Sequence, residues 1–215
     1  MQLILMRHGQ TDDNIDHRYT GVLDIPLNEI GREQAHAAGS VPAVPLVFTS
    51  HLSRARETAR ICFPNARQIV NPALAEMDFG EFQGRTPNEM EHDAAYRSWV
   101  DSWCLLPCPH GESRDEFTAR VANAVRDIVI EQEVAGAKRA IIVAHGGTVM
   151  ATLFTFACAD EAREYYQWNP GNCCGWQADV VHAHDGSQDE SATCAPFTLC
   201  NIMHFDRLDQ LAETP

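Results

Sequence analysis

The chain has 215 residues, of which 45% are hydrophobic, and this combination suits a single α/β domain with a substantial core. It carries 30 acidic and 16 basic side chains, and the resulting formal net charge of −14 repels nucleic acid and anionic membrane surfaces. The apolar run at the start of the chain is too short for a signal peptide or a membrane span, so we expect a soluble, cytoplasmic protein.

Aliphatic segments alternate with helical patterns along the chain. Residues 2–6, 46–49 and 140–144 predict strands, and residues 28–38, 52–62 and 148–157 predict the helices that come after them. This alternation predicts a three-layer α/β sandwich with a mostly parallel central sheet and helices on both faces. The segment 140–144 is apolar throughout, so we expect it in the middle of the sheet.

Two capping boxes predict further helices. The segment 86–89 combines such a box with Pro87 at the first helical position, and the segment 113–116 forms another. Apolar residues continue after the second box on one helix face, namely Phe117, Val121, Val125 and Val129. Residues 85–110 carry no motif that identifies a substrate, and we expect them to form a lid or substrate-specificity segment.

The last part of the chain predicts a hairpin. Residues 176–184 and 197–205 alternate loosely around the polar stretch 185–191, which indicates an antiparallel hairpin at the edge of the sheet. Such an edge can pair between subunits, so a homodimer is a hypothesis. Neither an internal repeat nor a long linker is visible, and we therefore expect one domain over residues 1–215.

Cysteine and histidine are frequent in the sequence, but their spacing does not predict a metal site or a disulfide framework. Disulfide frameworks belong to small secreted chains, so we expect the eight cysteines to be free thiols. Two loose groupings, His182 with His184 and Cys104 with Cys108 and His110, lack the paired spacing of zinc ligands. We expect solvated histidines and buried thiols at these positions.

Two histidines come directly after predicted strands. His8 lies after Arg7 at the end of the first strand, and His145 lies after the strand 140–144 just before a helix. The carboxyl ends of parallel strands meet at the sheet edge where α/β proteins bind ligands. The glycine after each histidine, Gly146 in the second case, allows the backbone to approach a ligand, and a helix start offers free N–H groups to an anion.

A cluster of cations at this edge would suit phosphoryl transfer. Arg54 lies in the first turns of the helix 52–62, so it can reach the same edge, although an ion pair with Glu57 on the surface is the alternative. Arg7, Arg54 and a protonated His145 would stabilise the charge on the equatorial phosphoryl oxygens. A neutral His8 beside them is our candidate nucleophile, forming a phosphohistidine intermediate.

The leaving oxygen needs a proton from a general acid. Glu76 is the candidate, while Asp78 and Glu81 lie close enough in sequence to be alternatives. The residue type alone does not show which of these carboxylates faces the site.

The sequence resembles the histidine phosphatase superfamily over nearly its whole length. The landmarks occur in the order of that family: Leu5-Met-Arg-His-Gly-Gln-Thr11, Asn14, Tyr19-Thr-Gly-Val-Leu-Asp-Ile-Pro-Leu27, Gly31, Gln34-Ala35, Ser50-His-Leu-Ser-Arg-Ala-Arg-Glu-Thr-Ala59, Glu76, Gly111-Glu-Ser113 and Val143-Ala-His-Gly-Gly147. The ordered set is far more specific than any one of these motifs.

The resemblance implies roles for the candidate residues. It implies that Arg7, Arg54 and His145 bind the transferring phosphoryl group and that Glu76 is the general acid. It further implies that Asn14 adds a hydrogen bond and that the loop of Thr20 and Gly21 contacts the substrate. Neither a metal nor a cofactor is required, because protein cations neutralise the phosphoryl charge.

Within this family, residues 74–85 are most similar to the phosphatase branch that includes α-ribazole phosphatases. Phe82 stands where tryptophan is more frequent, and His110 stands where a glycine is common. The leading hypothesis is a metal-independent phosphatase of a small phosphorylated metabolite, with α-ribazole phosphate as a candidate. A cofactor-dependent phosphoglycerate mutase is the alternative, although the short interval between Glu76 and Gly111 disfavours it. A non-catalytic phospholigand-binding protein is the third hypothesis.

Overall fold

A six-stranded sheet forms the centre of the computed structural model, which describes residues 1–182 and 196–211. The strands are β1 (Gln2–Arg7), β2 (Leu46–Thr49), β3 (Arg67–Val70), β4 (Arg139–Ala144), β5 (Gly175–Val181) and β6 (Thr198–Phe205). The α-helices are α1 (Asp12–Ile15), α2 (Glu29–Ala38), α3 (Ser53–Cys62), α4 (Ala94–Asp101), α5 (Arg114–Val134) and α6 (Gly146–Phe156). The predicted polar stretch 185–191 and His184 lie outside the described residues.

The strand order is β3-β2-β4-β1-β5-β6. The first four strands in this order are parallel, whereas β5 runs antiparallel to β1 and pairs with β6 in the same way. The mostly parallel sheet and the antiparallel edge hairpin are thereby confirmed, as is the central position of β4. Since β6 is the outer strand, subunit pairing along it stays a prediction.

Helices cover both faces of the sheet because side chains alternate along the strands. Leu3 and Leu5 of β1 belong to the cluster that contains residues of α5 and α6. Ile4 and Met6 of the same strand belong to the opposite cluster, with residues of α2 and α3. This alternation produces the predicted three layers.

The capping box at Ser113 begins a long helix, as predicted. Ser113 Oγ accepts the N–H of Glu116 at 3.2 Å, and a carboxylate oxygen of Glu116 accepts the N–H of Ser113 at 2.9 Å. Helix α5 then continues for 21 residues. Its predicted apolar stripe is buried, with Phe117, Val121, Val125 and Val129 all in the core.

The capping box at Thr86 does not begin an α-helix, so that prediction was wrong. Both of its hydrogen bonds form, between Thr86 and Glu89, but they close a single 3-10 turn at Asn88–Met90. The side chain of Asp93 caps α4 instead, accepting the N–H groups of Ala95 and Tyr96. Because Asp93 caps a new helix soon after the Thr86 turn, the turn and α4 are separate elements.

Strand β3 was not predicted. Its four residues are exposed or half-buried, and such an edge strand lacks the apolar run that identified β2 and β4. The seven cysteines among the described residues are free thiols. In the same part of the chain, none of the helices combines the length and the apolar character that a membrane crossing requires.

Candidate active site

A cavity of about 330 Å³, called here the phosphoryl cavity, brings together eight of the nine predicted site residues. The lining consists of Arg7, His8, Asn14, Arg18, Tyr19, Thr20, Gly21, Arg54, Glu76, Phe79, Gly146, Gly147, Met150 and Asn169. The ninth predicted residue, His145, packs against His8 with ring centroids 5.2 Å apart and an interplanar angle of 63°.

His8 comes directly after β1, and its backbone N–H donates to the carbonyl of Ala144 at the end of β4. Its Nδ1 lies 2.6 Å from the carbonyl oxygen of Gly9. A carbonyl can only accept, so this contact assigns the proton to Nδ1 and leaves Nε2 with its lone pair. Burial and, after it, the charges of Arg54 and Arg7 hold the pKa of His8 well below its ordinary range. The imidazole is therefore neutral.

His145 caps the start of α6 and is completely buried. Its Nε2 lies 2.7 Å from Ser50 Oγ, which also accepts the N–H of Leu52 at 3.3 Å. The Ser50 hydroxyl donates to Nε2 in the tautomer that carries the imidazole proton on Nδ1. Within the described part of the chain, Nδ1 has no hydrogen-bond partner.

Burial acts against the expected protonation of His145. Burial lowers its pKa well below the ordinary range, and the charge of Arg54 lowers it further. A neutral ring with a proton on Nδ1 can nevertheless donate one hydrogen bond to an anion.

Arg54 lies in the first turn of α3 and is buried. Its two terminal nitrogens donate to the carbonyls of Leu23 and Gly21, at 2.6 and 2.7 Å. Burial lowers the pKa of Arg54, and Glu76 opposes this shift, but guanidinium groups stay charged in proteins. The alternative surface ion pair with Glu57 is wrong, because Glu57 pairs with Arg32 at 2.8 Å.

Arg7 supplies a second cation to the cavity. One terminal nitrogen donates to the carbonyl of Pro170 at 2.9 Å, while the buried Nε has no partner among the described residues. A methyl group on Gly146 would lie only 3.1 Å from Asn169 Oδ1 and 3.6 Å from Arg7 Nε. Gly146 therefore lets the start of α6 approach the Asn169 amide closely, beside this guanidinium.

Of the three candidate acids, Glu76 alone lines the phosphoryl cavity. Its carboxylate accepts the backbone N–H groups of Gly147 and Met77, each at 3.0 Å. Asp78 accepts the N–H of Gly80 within its own loop. Glu81 pairs with exposed His110 at 3.4 Å. The structure thus separates the candidate Glu76 from its two alternatives.

The remaining predicted contacts lie on loops beside the cations. Gly21 has φ of +54°, and a side chain there would collide with Gln83 and the backbone of Met77. Thr20 is buried, and its hydroxyl has no hydrogen-bond partner in the described ranges. Asn14 Oδ1 accepts the N–H of Thr11 at 3.1 Å, which orients the amide at the start of α1.

Sequence reasoning missed several residues of the site. Ser50 is the residue after β2, so the rule about carboxyl strand ends could have found it. The other missed residues, which line the cavity, are Arg18, Tyr19, Phe79, Gly147, Met150 and Asn169. Most of them lie on irregular loops, whose course no periodic pattern predicts.

The described residues contain no group of three His, Cys, Asp or Glu side chains that could hold a metal ion. Cys108 is buried, whereas His110 points to the surface with φ of +58°. Glycine adopts that backbone conformation without strain. His182 binds Glu133 at 2.8 Å on the surface.

Known proteins are similar in sequence to this chain over most of its length. The model of the histidine phosphatase superfamily (branch 1) matches residues 3–184. The 2,3-bisphosphoglycerate-dependent phosphoglycerate mutase 2 of Gloeobacter violaceus is 37% identical over 164 residues, which cover 70% of this chain and 73% of that protein. The glucosyl-3-phosphoglycerate phosphatase of Mycolicibacterium vanbaalenii is also 37% identical over 164 residues, with 70% and 71% covered.

Solved structures show the same architecture. The alpha-ribazole phosphatase from Shigella flexneri superposes with a TM-score of 0.72 at 26% sequence identity. The match covers 84% of this chain and 91% of that one.

Proposed function

Because the chain belongs to the histidine phosphatase superfamily, we propose that it is a metal-independent phosphatase that hydrolyses a small phosphorylated metabolite through a phosphohistidine on His8. The observation that carries this proposal is the tautomer and orientation of the His8 ring. Its Nδ1 proton is held by the Gly9 carbonyl, so a neutral Nε2 is available in a cavity that also contains Arg7 and Arg54. A neutral, oriented imidazole beside fixed cations suits attack on a phosphate ester.

Two displacements complete the proposed reaction. In the first, the Nε2 lone pair of His8 forms an N–P bond while the P–O ester bond breaks, and protonated Glu76 gives its proton to the leaving oxygen. In the second, water attacks phosphorus and loses a proton to Glu76 while the N–P bond breaks. Inorganic phosphate is released, and both residues return to their starting states.

The cations of the site are held before any substrate arrives. Three backbone carbonyls anchor Arg54 and Arg7, and Arg7 Nε and the Nδ1–H of His145 remain as unused donors within the described residues. We assign these groups to the transferring phosphoryl oxygens. Donors that are already oriented stabilise developing charge without reorganising during the reaction.

Four further residues of the phosphoryl cavity complete the proposed substrate site. Asn14 and Thr20 present polar side chains, and Gly21 and Gly146 bring their backbone to the lining. The lid or specificity role of residues 85–110 is supported by α4, whose Trp99 packs against Tyr19 with ring centroids 5.6 Å apart. Because a structural relative is named an alpha-ribazole phosphatase, α-ribazole phosphate is the first metabolite to test.

A phosphoglycerate mutase is the second candidate, and a relative with that name at 37% identity favours it. A mutase would return the phosphoryl group from His8 to the substrate instead of losing it to water. Incubation with 3-phosphoglycerate and 2,3-bisphosphoglycerate distinguishes the two functions. Formation of 2-phosphoglycerate faster than release of inorganic phosphate would establish the mutase.

The phosphatase is tested with 4-nitrophenyl phosphate in the presence of EDTA. We expect steady release of 4-nitrophenol, and rapid acid-free quenching with a radiolabelled phosphate ester should trap label on His8. A folded protein that binds phosphate, yet neither releases product nor becomes labelled, would instead be a phospholigand-binding protein.

A further inference from the structure

A second cavity of about 210 Å³, called here the apolar cavity, adjoins the phosphoryl cavity. The two share part of their lining, including Glu76 and Met150. Twelve residues line the apolar cavity, and only Glu76 and Arg114 among them carry charge. Six of the twelve are aromatic: Tyr19, Phe79, Trp99, Phe117, Tyr165 and Tyr166.

The aromatic walls are packed against each other and are therefore preformed. Tyr19, Phe79 and Trp99 meet edge to face, with ring centroids 5.2 to 6.0 Å apart. The lining also contains Tyr165 and Tyr166, whose ring centroids are 5.2 Å apart. Such edge-to-face pairs add stability beyond the area they bury, so these rings keep their places.

The polar groups of the apolar cavity are largely engaged. The Tyr19 hydroxyl pairs with the hydroxyl of Tyr96 at 3.0 Å, and both carboxylate oxygens of Glu76 accept backbone N–H groups. The guanidinium of Arg114 lies 5.2 Å from the Tyr165 ring centroid and donates to the carbonyl of Trp103. A sugar would lose its hydration here and find few partners besides Arg114.

Glu76 lies where the two cavities meet. In the proposed reaction it protonates the ester oxygen, so the phosphoryl group lies on the His8 side and the leaving group on the other side. From this placement we infer that the apolar cavity binds the leaving group and that the substrate is the phosphate ester of an alcohol bearing an aromatic or apolar group. The inference rests on the proposed function. A cavity of about 150 Å³ holds benzene, so this one has room for one ring or two fused rings.

The test compares esters whose leaving alcohols have the same chemical reactivity. We choose 2-phenylethyl phosphate, ethyl phosphate and glycerol 3-phosphate, since all three release a primary alcohol. We expect kcat/KM for the phenyl ester to exceed each of the others by at least about tenfold, because its ring is buried only in this cavity. Equal kcat/KM values for the three esters, or a preference for glycerol 3-phosphate, would overturn the inference without contradicting the proposed phosphatase function.

Two variants test whether the preference for the phenyl ester arises in the apolar cavity. Met150→Gln adds an amide to the lining at nearly the same side-chain length, and Cys104→Asn adds an amide from the specificity segment. Each should reduce the ratio of kcat/KM for the phenyl and ethyl esters at least about fivefold. Val134→Gln, at a residue 87% exposed on α5, is the matched control and should keep the ratio.

The remaining outcomes are decisive as well. An unchanged ratio in both lining variants, with native circular dichroism, would show that the preference arises elsewhere and would overturn the inference. No turnover of any ester by the folded wild-type protein would overturn the proposed function and this inference with it.

Discussion

Ser50 Oγ lies 2.7 Å from Nε2 of His145, and this contact orients the buried imidazole. The hydroxyl comes from the residue after β2, while His145 is the residue after β4. These strands are neighbours in the sheet, so the contact depends on their pairing. We assign Ser50 a positioning role toward His145.

Replacing Ser50 with alanine should lower kcat about tenfold, the effect of one buried hydrogen bond. It should also raise the pKa of His145, because the hydrogen bond from Ser50 stabilises the neutral ring and the substitution removes it. Histidine NMR titration and the pH profile of kcat measure these effects. Ser53→Ala, three residues along the chain, is the control, and an unchanged His145 titration in Ser50→Ala would contradict the assignment.

Replacing His8 with alanine should abolish both phosphoenzyme labelling and turnover, with kcat reduced by at least about 10³-fold. The reason is that the imidazole forms the covalent bond to phosphorus. His36→Ala, at an exposed residue of α2, controls for the loss of a histidine. Retention of turnover in His8→Ala at the wild-type rate would exclude the proposed nucleophile.

Replacing Glu76 with glutamine should reduce kcat about 10²-fold for alkyl phosphates and much less for 4-nitrophenyl phosphate. The nitrophenolate leaves without protonation, whereas an alkoxide needs a proton. Glu81→Gln, at the surface pair with His110, is the matched control. Equal losses for both kinds of ester would argue against general acid catalysis by Glu76.

Gly147→Ala should reproduce the same dependence on the leaving group. A methyl group at this position would collide with Oε1 of Glu76, whose other oxygen, Oε2, accepts the Gly147 N–H. The carboxyl group must therefore move away from its place between the two cavities. Turnover of alkyl phosphates should fall further than turnover of nitrophenyl phosphate, and circular dichroism checks the folding of the variant. An unaltered ratio of the two turnover rates would show that Glu76 tolerates displacement.

Stability should decrease when the pH falls below about 6.5, the ordinary histidine pKa. His8 and His145 have lowered pKa values in the folded protein, so the unfolded chain binds protons that the folded chain does not. Each contributes a slope approaching about 1.4 kcal/mol per pH unit. His182, whose pKa is raised by Glu133, acts in the opposite direction but is half-exposed and screened.

Urea unfolding between pH 7.5 and 5.5 measures this slope. The window lies above the range in which carboxylates with lowered pKa values, such as Asp24 and Asp93, lose their contribution. The His8→Gln variant should show a smaller slope, since one of the two buried groups no longer titrates. Constant stability across the window would contradict the lowered pKa values.

Local sequence patterns predicted most of the fold because they record which side chains are buried. The apolar run of β4 indicated a central strand, and the Ser113 capping box marked the start of α5. The same reasoning failed at Thr86, where a correct capping box closes only one turn. A capping pattern reports local hydrogen bonds, whereas the length of a helix depends on the residues after the cap and on their packing.

The sequence by itself determined the side chains of the site. These are two histidines and two arginines, which lie at strand ends and helix starts along one edge of a parallel sheet. Tertiary structure alone decided the state and partners of these groups. Burial beside Arg54 lowers the pKa of His145, and Ser50 orients its ring. Distances between distant segments also selected Glu76 over its neighbours and assembled the apolar cavity. Protonation and contact depend on three-dimensional separation and desolvation, which the order of residues does not specify.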